Sequence, residues 1–291
     1  MTQRTREVLA CLQYGIAERK GFVVMTGEVG TGKTTLLKSV LSWFPDHRVS
    51  TSFVFNPRLD VLDFLEIVLT DFGIPPRDRT KSGMLIQLNR WLIDRFRDNA
   101  LCVIVVDEAQ NLSPDLLEEI RLLTNLETSA EKLLQIVLSG QPELEAMLRL
   151  SSLRQLRQRI ALWCRTQPLQ PQETGVYIAE RLRIAGAKEP IFAPEAIERI
   201  HHYSRGIPRL VNLTCEHSMI TAFVEQVKPI PAWIVEMVAV DLELHDQPYL
   251  VEPAPHSERL GQTKAERSLN IVEPVKETRD SKLGSQKERG I

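Results

Sequence analysis

Residues 27–36 read GEVGTGKTTL, and Gly27, Gly30, Gly32, Lys33 and Thr34 fit the spacing G-x-x-x-x-G-K-[ST]. The apolar run GFVVMT (21–26) precedes them, while Leu36, Leu37, Val40 and Leu41 follow at helical spacing. The loop therefore joins a strand to a helix, which is the context this motif requires. Glycines let successive backbone N–H groups turn inward around an anion, and a helix start adds unpaired donors and the positive end of a dipole. The expected phosphate cradle comprises Gly27, Glu28, Val29, Gly30, Thr31 and Gly32, with Lys33, Thr34 and Thr35 opening the helix. Lys33 is placed to reach the β and γ phosphates of ATP, and the Thr34 hydroxyl to ligate Mg²⁺.

A cradle alone hydrolyses nothing. The apolar run 101–106 ends in Asp107 and Glu108, two carboxylates at the strand end where ligands of open α/β sheets collect. Asp107 is expected to hold Mg²⁺, directly or through water, and Glu108 to orient or polarise the attacking water. In LSGQPEL a third apolar strand ends in Ser139 and Gln141, either of which could sense the γ phosphate, position water, or merely start a turn before Pro142. In LRQLRQRI, Arg154, Arg157 and Arg159 fall at the end of a helix before a strand. Arginine offers phosphoryl oxygens a planar donor fork, so one of the three is expected to act in trans on a neighbouring copy. Arg209, in SRGIPRLVN, sits in a helix's first turn, where its charge opposes the dipole and suggests a contact with nucleotide across a cleft.

Other side chains suggest less. His201, His202, Cys215 and His217 resemble a ligand set, but Cys215 and His217 are two apart on an expected helix and point to different sides. No metal other than Mg²⁺ is expected. The four cysteines are spread along the chain, with Cys102 inside an apolar run, as in a reducing cytoplasm. A formal net charge of -2 gives no global basic excess of the kind that marks dedicated nucleic-acid binders. The polar residues 1–6 open no signal peptide, and no apolar run approaches the roughly 18 residues of a spanning helix.

The elements that must position these groups alternate. Strands are expected at 21–26, 49–56, 101–106, 133–140 and 161–169, and helices at 33–43, 61–71, 84–97 and from Ser113 onward. Near-continuous apolar runs mark parallel strands covered on both faces, hence a doubly wound α/β domain over 1–170. After Pro171 only helices are expected, at 173–185, 194–203, 209–224 and 232–244, forming a small second domain over 171–245. Residues 246–291 carry mixed charge and a single aromatic, Tyr249, a composition expected to stay disordered.

Taken together, YGIAERKGFVVMTGEVGTGKTTL, VVDEAQNLS, IVLSGQPEL, LRQRI and SRGIPRLVN resemble the AAA+ ATPases, and among them the ExeA-like group of general secretion and exopolysaccharide or PEP-CTERM export loci. The resemblance implies a Walker A motif over residues 27–34, a Walker B motif at Asp107 and Glu108, and sensor 1 near Ser139. It further implies an arginine finger near Arg159, sensor 2 at Arg209 and a helical lid after Pro171. Members usually begin with an Asn-Pro-Phe-like box that holds adenine, and residues 1–291 open after it. ExeA proper continues into a membrane span and a peptidoglycan-binding domain without counterpart here, so a cell-wall role is not expected to carry over. The expected function is Mg²⁺-dependent ATP hydrolysis by a homo-oligomer that serves a secretion or export machine, cytoplasmic or peripheral to the inner membrane through a partner. The alternative is an ATP-dependent DNA-binding regulator similar to the transposition ATPases MuB and TniB, which the acidic balance disfavours.

Overall fold

A computed structural model of the chain describes residues 2–45, 48–55, 58–128 and 131–244, all within one compact unit. The expected disorder of 246–291 lies outside the described residues.

Five parallel strands form the centre: β1 (Phe22–Thr26), β2 (Val49–Val54), β3 (Leu101–Val106), β4 (Gln135–Gly140) and β5 (Leu162–Arg165). Their order is β2-β3-β4-β1-β5, with Val24 beside both Leu138 and Trp163, and Ile104 beside Ile136. Side chains alternate across the sheet, so β1, β3 and β4 each feed two cores. Phe22, Val24, Ile104, Val106, Ile136 and Leu138 enter one, whereas Val23, Met25, Val103, Val105 and Val137 enter the other. This double burial is why β1 and β3 read as unbroken apolar runs.

The first core is covered by α3 (Val61–Asp71), α4 (Lys81–Arg97), α5 (Pro114–Leu123), α6 (Pro142–Leu148) and α7 (Arg154–Arg159). The second is covered by α1 (Gln3–Ala17) and α2 (Lys33–Leu41). Helix starts are chemically marked: the Asp60 carboxylate accepts from the Asp63 N–H at 2.8 Å, and Ser113 Oγ accepts from the Leu116 N–H at 3.2 Å ahead of Pro114.

Four helices follow: α8 (Pro171–Ile184), α9 (Pro194–Ser204), α10 (Pro208–Val224) and α11 (Ala232–Asp241). They share a separate apolar cluster including Ile178, Phe192, Ile200, Val211 and Ile234. Leu169 donates its N–H to Gly206 O at 2.8 Å, tying the segment before α8 to the turn before α10.

Three elements differ most from the sequence expectation. Helix α1 buries only Val8, Leu12, Gly15 and Ile16, too thin a stripe to stand out among its polar residues. Helix α6 occupies the stretch after Pro142 that was expected only as a turn. Strand β5 stops at Arg165 rather than running to residue 169: Thr166 N–H still reaches Thr26 O at 2.8 Å, but Pro168 has no donor with which to continue.

Candidate functional site

Six residues, 27–32, separate the end of β1 from the start of α2. Gly32 takes the left-handed conformation, φ 92°, at the N-cap of α2, and its carbonyl accepts from the Leu36 N–H at 2.9 Å. A side chain there would be strained. Gly27 has a different reason to be glycine, because the Thr166 side chain fills the place of any Cβ. Thr166 Oγ1 also lies 2.7 Å from Thr31 Oγ1, and Thr31 donates to Glu28 O at 2.7 Å, so the residue after β5 braces the loop.

Lys33 is buried at the centre of this loop, its Nζ donating to Gly27 O at 2.7 Å and Glu28 O at 3.1 Å. Burial pushes its pKa down, against the carboxylates of Glu108, Asp107, Glu28 and Glu143. Asp107, at the end of β3, accepts from Thr34 Oγ1 on Oδ2 at 2.6 Å and from Ser139 Oγ on Oδ1 at 2.8 Å. The structure thus gathers Lys33, Thr34, Asp107 and Ser139 at one end of the sheet, with Ser139 fully buried and turned to Asp107. A carboxylate and a hydroxyl in contact form an oxygen donor set suited to Mg²⁺, and a buried ammonium ringed by carbonyls suits phosphate.

Glu108 is left-handed at φ 53° and ψ 38°, a conformation a non-glycine residue holds only when its surroundings enforce it. Its Oε2 accepts from Gln110 Nε2 at 2.6 Å and Gln141 Nε2 at 3.0 Å, and the Gln141 N–H donates to Gln110 Oε1 at 3.1 Å. Burial disfavours the Glu108 charge, but the two amides and Lys33 outweigh it and hold the carboxyl below its ordinary range. Gln141, expected to face phosphate, water or a turn, contacts Glu108. Gln110 was missed; its only signal was its place two residues after Glu108 in DEAQ.

Arg209 lies against the loop from the helical side. Its N–H donates to Gly30 O at 3.1 Å, and a Cβ on Gly30 would come 2.8 Å from Arg209 Cβ and 3.0 Å from Ile207 Cγ2. Ile207 was not anticipated. Arg159 is not brought to this end: α7 leads into β5, whose Leu162 pairs with Val23 near the start of β1, and Arg159 Nη1 reaches Thr124 Oγ1 at 3.4 Å. Arg154 and Arg157 are exposed beside it. Val29 and Thr35 are exposed, whereas Glu28 is half-buried. Of the histidine and cysteine set, His201 Nδ1 lies 2.7 Å from Thr174 Oγ1, Cys215 is buried and His217 is exposed.

The glycine loop, the paired carboxylates and the strand order together define the class, and the chain carries a domain of the AAA+ ATPase family. Residues 16–148 match the family described as AAA domain. Over 224 residues, 77% of this chain, it is 44% identical to general secretion pathway protein A of Aeromonas hydrophila, and it spans 41% of that protein's length. Among solved structures, the ORC2 protein of Aeropyrum pernix in its ADPNP-ADP complexes aligns with a TM-score of 0.61 at 15% identity, over 81% of this chain and 66% of that one. RuvB of Thermotoga maritima, a Holliday junction branch migration motor, aligns with a TM-score of 0.57 at 17% identity, over 83% and 70%. At such identities the likeness is one of fold. Among the described residues no helix is long and apolar enough to cross a membrane.

Proposed function

We propose that this chain binds and hydrolyses ATP with Mg²⁺ as an oligomer, and that the cycle energises or regulates a secretion or polysaccharide-export assembly. The observation that carries the catalytic part is the convergence of Lys33, Thr34, Asp107, Ser139 and Glu108 on one sheet end. Mg²⁺, when bound, offsets the charge of the phosphate oxygens. The loop N–H groups and Lys33 bind those oxygens, and Thr34 and Asp107 hold the ion. Glu108, kept ionised at neutral pH, accepts the proton of the attacking water. Arg209 follows the P-loop through Gly30, and Arg159, remote from its own loop, serves a neighbouring copy.

The secretion part rests on the likeness to general secretion pathway protein A. In this reading residues 1–170 form the nucleotide-binding domain, residues 171–245 the lid, and the chain works in the cytoplasm or at the inner membrane through a partner. Phosphate release by the wild-type chain at assembling concentrations tests the catalytic part; no release from protein with ATP bound would overturn it. ATP-dependent, salt-sensitive binding to double-stranded DNA would move the role toward the MuB- and TniB-like alternative.

A further inference from the structure

We infer that Gln110 and Gln141 are positioning residues, clamping one oxygen of the Glu108 carboxylate so that the other is presented to the attacking water. The inference rests on the hydrolytic reading above and deepens it. Both amide nitrogens donate to the same atom, Oε2, at 2.6 and 3.0 Å, while Oε1 accepts no hydrogen bond among the described residues. A carboxylate held by two donors on one oxygen loses its freedom to rotate and keeps a lone pair available on the other.

The glutamines also hold each other. Gln141 N–H reaches Gln110 Oε1 at 3.1 Å, closing a ring of three hydrogen bonds across the ends of β3 and β4. Gly140 leaves the room: a Cβ there would lie 2.9 Å from that same Oε1. Position and chemistry set Gln141 apart from an ordinary helix start. It is the N-cap residue of α6, where a polar side chain usually accepts from the first turn, yet it makes no cap bond and turns to Glu108 instead. Because Ser139 of β4 holds Asp107 and Gln141, just past the end of β4, holds Glu108, one strand end touches both carboxylates.

Removing an amide donor frees the Glu108 carboxylate to rotate, so turnover should fall while ATP affinity stays; a residue that merely packs the loop would disturb both.

The test uses the full chain with Gln110→Met and Gln141→Met, which keep length and lose the donor, and reads ATP binding by calorimetric titration beside steady-state phosphate release. Each variant should lower kcat roughly tenfold and leave Kd and KM for ATP within about twofold. An unchanged kcat in both variants where the wild type turns over overturns the inference, as does a loss of kcat matched by an equal loss of ATP affinity. A wild type that binds ATP and releases no phosphate overturns the hydrolytic reading and the water-presenting role with it, so the two failures are told apart.

Discussion

Where the strands end, Thr34, Asp107, Ser139, Glu108, Gln110 and Gln141 meet one another through hydrogen bonds of 2.6 to 3.1 Å. Where they begin, Arg159 has a 3.4 Å contact with Thr124, and Arg154 and Arg157 stand exposed. The first set is satisfied within one chain, as charged groups in a partly buried site must be. The second offers a guanidinium fork with little intramolecular use for it. Chemistry read from the first end should therefore survive in an isolated subunit as far as binding is concerned, while any contribution from the second should depend on assembly.

The largest effect should come from the satisfied end. Lys33→Ala is expected to abolish measurable ATP binding in a calorimetric titration, because no other described residue places a buried cation at the loop's centre. Unchanged affinity would break the account of the loop. Arg159→Ala is expected to bind ATP normally yet lose about a thousandfold in turnover, the scale on which a finger in trans acts. Variant subunits should poison mixed assemblies, and wild-type activity per chain should rise with concentration; a flat response down to monomer would erase the distinction between the ends. Glu108→Gln should retain ATP binding and lose about a hundredfold in kcat. Near-normal turnover would assign the water to another group.

The satisfied end was also the more legible one, for a physical reason. Residues 27–34 work through local backbone geometry, and Asp107 and Glu108 follow directly from the end of an apolar run, so spacing alone located them. Contacts that depend on tertiary packing were not readable. Thr166 braces Thr31 from 135 residues away, and the partner of Thr26, Glu145, is 119 residues distant. Gln110 is near in sequence, but its bond to Glu108 is made where Glu108 is left-handed, a conformation that no composition announces. Arg209 stood out as a charge at the wrong end of a helix, whereas its backbone bond to Gly30 is a property of how α10 is seated. The sheet was legible because double burial writes itself into apolar runs; α1 was not, because one thin stripe against the sheet suffices to hold it.

Glu145 offers a smaller test, of stability instead of chemistry. It sits on α6 near the loop, accepting from Thr26 Oγ1 at 2.5 Å and from Arg165 Nε and Nη2 at 2.8 Å each, and so joins β1, β5 and α6. Hydrogen bonds from Arg165 lead in lowering its pKa; partial burial opposes them, while Thr26 and the Arg165 and Arg149 charges assist. A carboxyl lowered on folding stabilises fully above its ordinary value of 4.5, and loses that contribution as pH falls through the folded value. Glu145→Gln should therefore cost about 1 kcal/mol at pH 7, solvent screening the exposed Arg165 guanidinium, as read from denaturant unfolding. The gap from wild type should narrow below the ordinary value. A gap that stayed constant on acidification would mean that packing of α6, and not the Glu145 charge, holds the end of β5 under the loop.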